Sequence, residues 1–230
     1  MMKKLAASLL AYAVFLNAAD FWTNAFTEWT EKDVQKMMES SPWAKKLDIV
    51  AGGGAGTSAA DLFRPTGGLG ATKTPGVAGG NSVGTGGNSV ALYIRWQSAL
   101  PVKQATMRLK YGADVGKTPE AQEILTSTDP NYLIAVEGLT LKITGGADAD
   151  TLKKTLMDQT ALVIKGKNPI APVDCRISGQ EKITAVFAFP KTDPIGLEDK
   201  DVEFQSKIGT HLIKQKFHLK EMVYFDRLAL

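Results

Sequence analysis

One cysteine, Cys175, and two histidines, His211 and His218, are all that 230 residues offer of the side chains that most often bind metals or act as nucleophiles. A lone cysteine excludes an internal disulfide, so stability must come from an ordinary core. Cys175 also lies far from the start of the chain, where an exported protein would accept a lipid. With no histidine or helix start beside it, it is expected to be a small buried hydrophobe rather than a nucleophile. The histidines stand seven residues apart in a stretch that reads as a strand. They therefore fall on opposite faces and cannot jointly hold one metal. Runs of a single charge are missing too, and lysines alternate with acids throughout, so there is no footprint for a nucleic-acid backbone. After residue 19 no apolar run is long enough to cross a bilayer.

The familiar catalytic signatures are equally absent. There is no Gly-x-Ser-x-Gly elbow, no Ser-x-x-Lys with its companion motifs, no His-Glu-x-x-His and no Gly-Lys-Ser/Thr closing a phosphate loop. Leu47-Asp48-Ile49-Val50 followed by a glycine cluster imitates a strand entering a dinucleotide-binding turn. The spacing fails, because Thr57 stands at the last glycine of a match begun at Gly52 and Ala51 at the first glycine of one ended at Gly56. No cofactor is expected.

What is present divides the chain into four. Residues 1–19 open with Lys3 and Lys4, continue through an apolar run from Leu5 to Leu16 and end on Ala18 and Ala19, the layout of a cleavable signal peptide. The protein is accordingly expected to be exported, to the periplasm or beyond the cell. Two of the lysines behind the formal charge of +3 lie in this leader, so the remainder is close to neutral. Residues 20–50 form an aromatic helical segment with Phe21, Trp22, Phe26 and Trp29 ahead of a Thr30–Asp33 capping box. Val34, Met37 and Met38 give the helix one apolar stripe, Ser40, Ser41 and Pro42 end it, and Trp43 follows. Residues 51–89 are a spacer rich in Gly, Ala, Ser, Thr and Asn, which reads as a flexible linker. Residues 90–230 are expected to be a mixed domain.

Within that domain, Ala91 to Trp96 reads as a strand, and Pro101 to Gly112 as a helix with Val102, Ala105, Met107 and Leu109 on its apolar side. Thr118-Pro119 opens a second helix, Tyr132 to Val136 is a strand, and Asp148 or Asp150 caps a helix carrying Leu152, Leu156 and Met157. Ala161 to Ile164 closes a second strand, helix, strand unit. From residue 183 onward the alternation is that of strands, with antiparallel pairing expected and the stretch Met222 to Leu230 tied into the sheet as a strand. The fold class is α+β: a short N-terminal helix, a glycine-rich linker, and a mixed segment leading into a mainly antiparallel C-terminal part.

A short amphipathic helix must dock on something. It packs on the chain's own later domain or serves as a docking peptide for an envelope protein or other surface partner, so Trp22, Trp29, Trp43 and Arg95 are the candidate binding residues. Asp199, Asp201 and Glu203 alternate along one apparent strand face and form a weak calcium candidate, against the plainer reading of a solvated row. Trp96 is assigned to the core. The leading function is a non-enzymatic binding or interaction module. The alternatives are an extracytoplasmic hydrolase using acids between Glu198 and Glu203, and a small-ligand binder with an apolar pocket lined by Trp96 and the C-terminal sheet.

At Trp29-Thr30-Glu31-Lys32-Asp33 with Ser41-Pro42-Trp43-Ala44, at Arg95-Trp96-Gln97-Ser98-Ala99-Leu100-Pro101, and at Phe189-Pro190-Lys191-Thr192 with Leu197-Glu198-Asp199-Lys200, the chain resembles an uncharacterised family of secreted bacterial proteins. The resemblance spans nearly all of the chain after the leader and includes a glycine-rich spacer in the same place. It implies export and a single layout, and it carries over no activity and no catalytic residue.

Overall fold

A computed structural model describes residues 20–50 and 89–230, and the statements below concern those residues. The expected signal peptide at 1–19 and all of the expected linker at 51–89 but its last residue lie outside them.

Two short 3-10 turns, Phe21–Thr23 and Phe26–Glu28, lead into α1, Glu31–Glu39. The Thr30 hydroxyl accepts the Asp33 N–H and the Asp33 carboxylate accepts the Thr30 N–H, so two helix-end donors are satisfied reciprocally. Val34, Met37 and Met38 are buried, as their spacing predicts. The chain then enters β1, Ala44–Val50, which pairs antiparallel with β2, Ser89–Trp96. This corrects the reading of 20–50 as a helical segment hung on a tether. Leu47, taken only as part of a nucleotide-binding imitation, sits opposite Leu92 as a sheet residue.

α2, Leu100–Tyr111, carries Pro101 in its first turn and stops at Gly112, whose φ of 59° suits a residue without a Cβ. Leu109 departs from the expected apolar side and is 63% exposed. α3, Pro119–Thr126, follows, then β3, Asn131–Leu139, a short helix α4, Leu141–Thr144, and α5, Ala149–Asp158. The Asp148 carboxylate caps α5 by accepting the N–H groups of Asp150 and Thr151. The strands β4 (Thr160–Val163), β5 (Asp174–Ser178), β6 (Ile183–Pro190), β7 (Asp201–Ile208) and β8 (His211–His218) complete two sheets.

The larger sheet has the order β1-β2-β3-β6-β5 and the smaller β4-β7-β8. Every described strand pair is antiparallel. The expected second strand, helix, strand unit is therefore not a closed one: β4 leaves the sheet that holds β3 and pairs with β7 in the other. The two sheets meet through aromatic rings, Phe187 to Phe204 at 5.6 Å and Trp96 to Phe217 at 5.6 Å. Trp96 is fully buried there, a core residue as expected. No described helix is long and apolar enough to cross a membrane.

The stretch Met222 to Leu230 is a small hairpin of its own, β9 (Val223–Tyr224) and β10 (Arg227–Leu228), rather than a strand of either large sheet. Two residues cannot build a strand long enough to compete for a place in the main ladder. The hairpin is instead held by side chains beneath it.

Candidate binding site

The aromatic segment is the first place to look for a surface, and its rings form a continuous edge-to-face series. Trp29 meets Phe21 at 5.5 Å, Phe21 meets Trp22 at 5.0 Å, Trp22 meets Trp43 at 5.8 Å and Trp43 meets Tyr224 at 6.1 Å. Trp43 is completely buried, and its indole Nε1 donates to the Ala229 carbonyl at 2.8 Å. Trp29 is buried as well, with Nε1 donating to the Asn24 carbonyl. Of the three tryptophans proposed for binding, only Trp22 keeps partial exposure. Trp29 and Trp43 are spent internally. An aromatic that fills core volume and hydrogen-bonds the chain's own carbonyls has no face left for a partner.

Arg95 is different. Alternation along β2 puts Leu92, Ile94 and Trp96 on the face that meets the second sheet, and Tyr93 and Arg95 on the other. There, with α1 and the end of α2, they line a groove of about 730 Å³. Glu137, directly opposite Tyr93 in the β2–β3 register, pairs its carboxylate with an Arg95 terminal nitrogen. The register slips between Glu137 and Leu139, at Gly138, whose φ is 93° and whose missing side chain lets the Ala91 carbonyl approach. This bulge sits next to the acid that serves the groove.

Arg95 is nine-tenths buried, and that burial pulls its guanidinium below the ordinary value, with Glu39 and Tyr93 opposing. An arginine nonetheless stays charged. Arg108, from the last turn of α2, donates from Nη1 to the Gly112 carbonyl at 2.8 Å and from Nη2 to the Trp29 carbonyl at 2.6 Å, closing the helix end and clamping the aromatic segment to it. Both guanidiniums thus use terminal nitrogens internally, and the Nε–H of each is buried without an acceptor. Met38, Val34 and Leu109 supply apolar wall. Glu39 accepts from Gln35, and no serine, cysteine or histidine lines the groove, so its walls hold no nucleophile and base together.

The sequence singles out Arg95 among the groove's lining residues and gives no separate signal for Arg108 or Leu109. A glycine inside a strand pattern was the available signal for Glu137, since Gly138 marks a bulge.

The acidic row does not exist as a row. Asp199 ends a 3-10 turn, Leu197–Asp199, and Lys200, at φ 63°, reverses the backbone before β7 begins at Asp201. Asp199 accepts from the Gly196 N–H and pairs with Lys167 at 3.0 Å. Asp201 meets His218 Nδ1 at 2.6 Å, and Glu203 accepts from Gln205. Each acid has its own partner, and among the described residues no cluster of three metal-binding side chains occurs. His211 is partly buried and His218 exposed, on alternate faces of β8. Cys175 is buried, which pushes its thiol up to about 11. It is inert at neutral pH. The pocket expected around Trp96 is filled by Tyr132 and Phe217.

No family model, no curated protein and no solved structure matches the chain, so the reading of this site rests on its own geometry.

Proposed function

We propose that the chain is an exported, non-enzymatic binding module of the cell envelope that docks an extended segment of a partner protein in the Arg95 groove. The observation that carries this is the pair of buried, acceptor-less Nε–H groups on Arg95 and Arg108 beside the exposed Leu109. A buried donor left unpaired is costly, and an incoming chain that presents main-chain carbonyls relieves that cost when the groove opens to it, whereas Glu31, Glu39 and Glu137 disfavour an added carboxylate. Leu109 and Met38 offer an apolar contact for a neighbouring side chain of the same segment. The placement outside the cytoplasm rests on the Lys3–Ala19 leader.

The test uses the mature protein as bait in an envelope extract, with Leu109→Asp and Arg95→Met beside it. A partner held by the wild type and lost from both variants is the expected result. Retention unchanged in both, or nothing held by the wild type, overturns the groove as a docking site. Fractionation of expressing cells checks the location, since an uncleaved cytoplasmic chain removes export.

A further inference from the structure

A second cavity, of about 700 Å³, lies at the opposite end of α2 and shares no lining residue with the Arg95 groove. Its walls are the first turns of α2, the chain after α3 and the β9–β10 hairpin. Three side-chain cations, Lys103, Lys191 and Arg227, line it against one side-chain carboxylate, Asp129, and Leu230, the last residue of the sequence, lines it as well.

The two lysines converge on that single residue. Lys103 Nζ lies 2.6 Å from the Asp129 carboxylate and donates to the Ser127 carbonyl at 3.0 Å. Lys191 Nζ has only the Asp129 main-chain oxygen, at 3.0 Å, and the face of Tyr132, at 4.9 Å from the ring centroid. Burial is the largest influence on Lys191 and holds its ammonium below the ordinary lysine range; Asp129 opposes this, and the like charge of Lys103 adds to it. Asp129 gives its carboxylate to Lys103 and only its main-chain oxygen to Lys191, so an anion in the cavity would supply Lys191 with a charged partner.

The hairpin provides an independent sign. Its two turn residues, Phe225 at φ 47° and Asp226 at φ 60°, both occupy the left-handed region, in a turn whose geometry favours Asn-Gly. Neither is glycine, and a bulky aromatic is among the residues that adopt this conformation least readily. Phe225 is 62% exposed, and its ring contact is with its buried neighbour Tyr224, at 4.4 Å between centroids, which leaves the outer face of the ring open. The hairpin that carries it is nevertheless fixed from below. Tyr224 Oη donates to Gln104 Oε1 at 2.6 Å, the Ala229 N–H donates to Met222 at 3.0 Å, and Trp43 Nε1 donates to the Ala229 carbonyl. A strained turn on a rigid base, presenting an exposed ring at the wall of a cationic cavity, is the kind of outlier that marks a ligand contact.

We propose that this cavity binds a small aromatic carboxylate, its carboxylate taken by Lys191 with Lys103 and Arg227 and its ring laid against Phe225. The volume lies within the range of small-molecule sites, and the lining is more polar than most such sites, which suits a charged ligand. The site stands apart from the Arg95 groove, and either can be true without the other.

Benzoate is the probe, titrated into the full mature chain and followed by backbone amide shifts. Benzyl alcohol serves as the neutral analogue and inorganic phosphate as the anion without a ring. Saturable benzoate binding in the millimolar range is expected, with perturbed amides at the β9–β10 turn and around Lys103, and with both analogues weaker. Lys191→Met should weaken benzoate about tenfold, the size of one charge-assisted hydrogen bond, and Lys191→Arg should recover most of it. Phe225→Gly separates binding from folding: relief of the turn raises the melting temperature while benzoate affinity falls. The proposal is overturned if benzoate fails to saturate, if benzyl alcohol binds as tightly, or if Lys191→Met and Phe225→Gly leave affinity unchanged.

Discussion

The Arg95 groove and the Phe225 cavity are nearly equal in size, at about 730 and 700 Å³, and opposite in charge economy. In the groove each guanidinium is bound internally, Arg95 by Glu137 and Arg108 by two main-chain carbonyls, and what remains is a pair of unspent N–H directions. In the cavity the cations outnumber the acids, and what remains is net charge. Leftover hydrogen-bond directions select a shape of acceptor, as a polypeptide backbone offers. Leftover charge selects an anion of almost any shape, and an aromatic ring beside it narrows the choice. Volume alone would have called these two sites the same.

The change that erases the comparison is Trp43→Ala, because Trp43 packs against Trp22 on one side and Tyr224 on the other and anchors Ala229. A loss of about 3–5 kcal/mol in urea unfolding is expected, with both cavities disordered together. A smaller loss confined to the hairpin would mean that the aromatic series is not shared structure.

The groove is isolated by opposing the two halves of its ion pair. Glu137→Gln strands a buried guanidinium and should cost about 1–3 kcal/mol, whereas Arg95→Met removes the charge itself and should cost less, since Glu137 can reach water. The reverse order in chemical denaturation would show that Glu137, and not Arg95, is the group that depends on the pair.

The cavity is isolated by relieving its turn. Asp226→Gly removes a left-handed non-glycine residue and should stabilise the protein by about 1 kcal/mol, read as a rise in melting temperature with the groove unaffected. No rise would deny that the turn is strained.

The smallest effect touches neither site. The carboxyls of Asp33 and Asp148 are held below the usual range, first by hydrogen bonds from Thr30 and from the Thr151 N–H. A depressed carboxyl stabilises the fold above its unfolded value and loses that contribution as pH falls through the folded one, here in the acid range below about pH 4. Stability should therefore decline with acid, with a shallower slope in Asp148→Ala, measured by thermal melting across pH.

Much of the local structure was legible. The Thr30–Asp33 box, Pro101 and Gly112 at the two ends of α2, Asp148 as one of two expected caps and the strands between residues 183 and 218 appear where the sequence places them. Each such signal is complete within a few residues, because capping and periodicity are short-range physics. Of the residues lining the groove, Arg95 is the one the sequence singles out for binding. Glu137 reads as an ordinary strand acid until the register sets it across from Tyr93. Lys103, Asp129 and Lys191 are unremarkable separately, and only folding crowds them. The opposite error has the same cause: Asp199, Asp201 and Glu203 look aligned until Lys200 turns the backbone between them.

The sequence by itself determined an α+β chain, the positions and ends of its main helices, antiparallel strands in its later half, and a tryptophan-bearing segment that must bury itself. Tertiary structure alone decided that Leu47 would face Leu92 although the glycine-rich spacer separates them in sequence, that β4 would desert β3 for β7, and that Phe225 would line one cavity with Lys103 and Lys191. Local propensity is written in neighbouring residues. Strand partners, net charge in a cavity and the burial of a given ring depend on residues brought together from distant parts of the chain, and only the packed core fixes which ones meet.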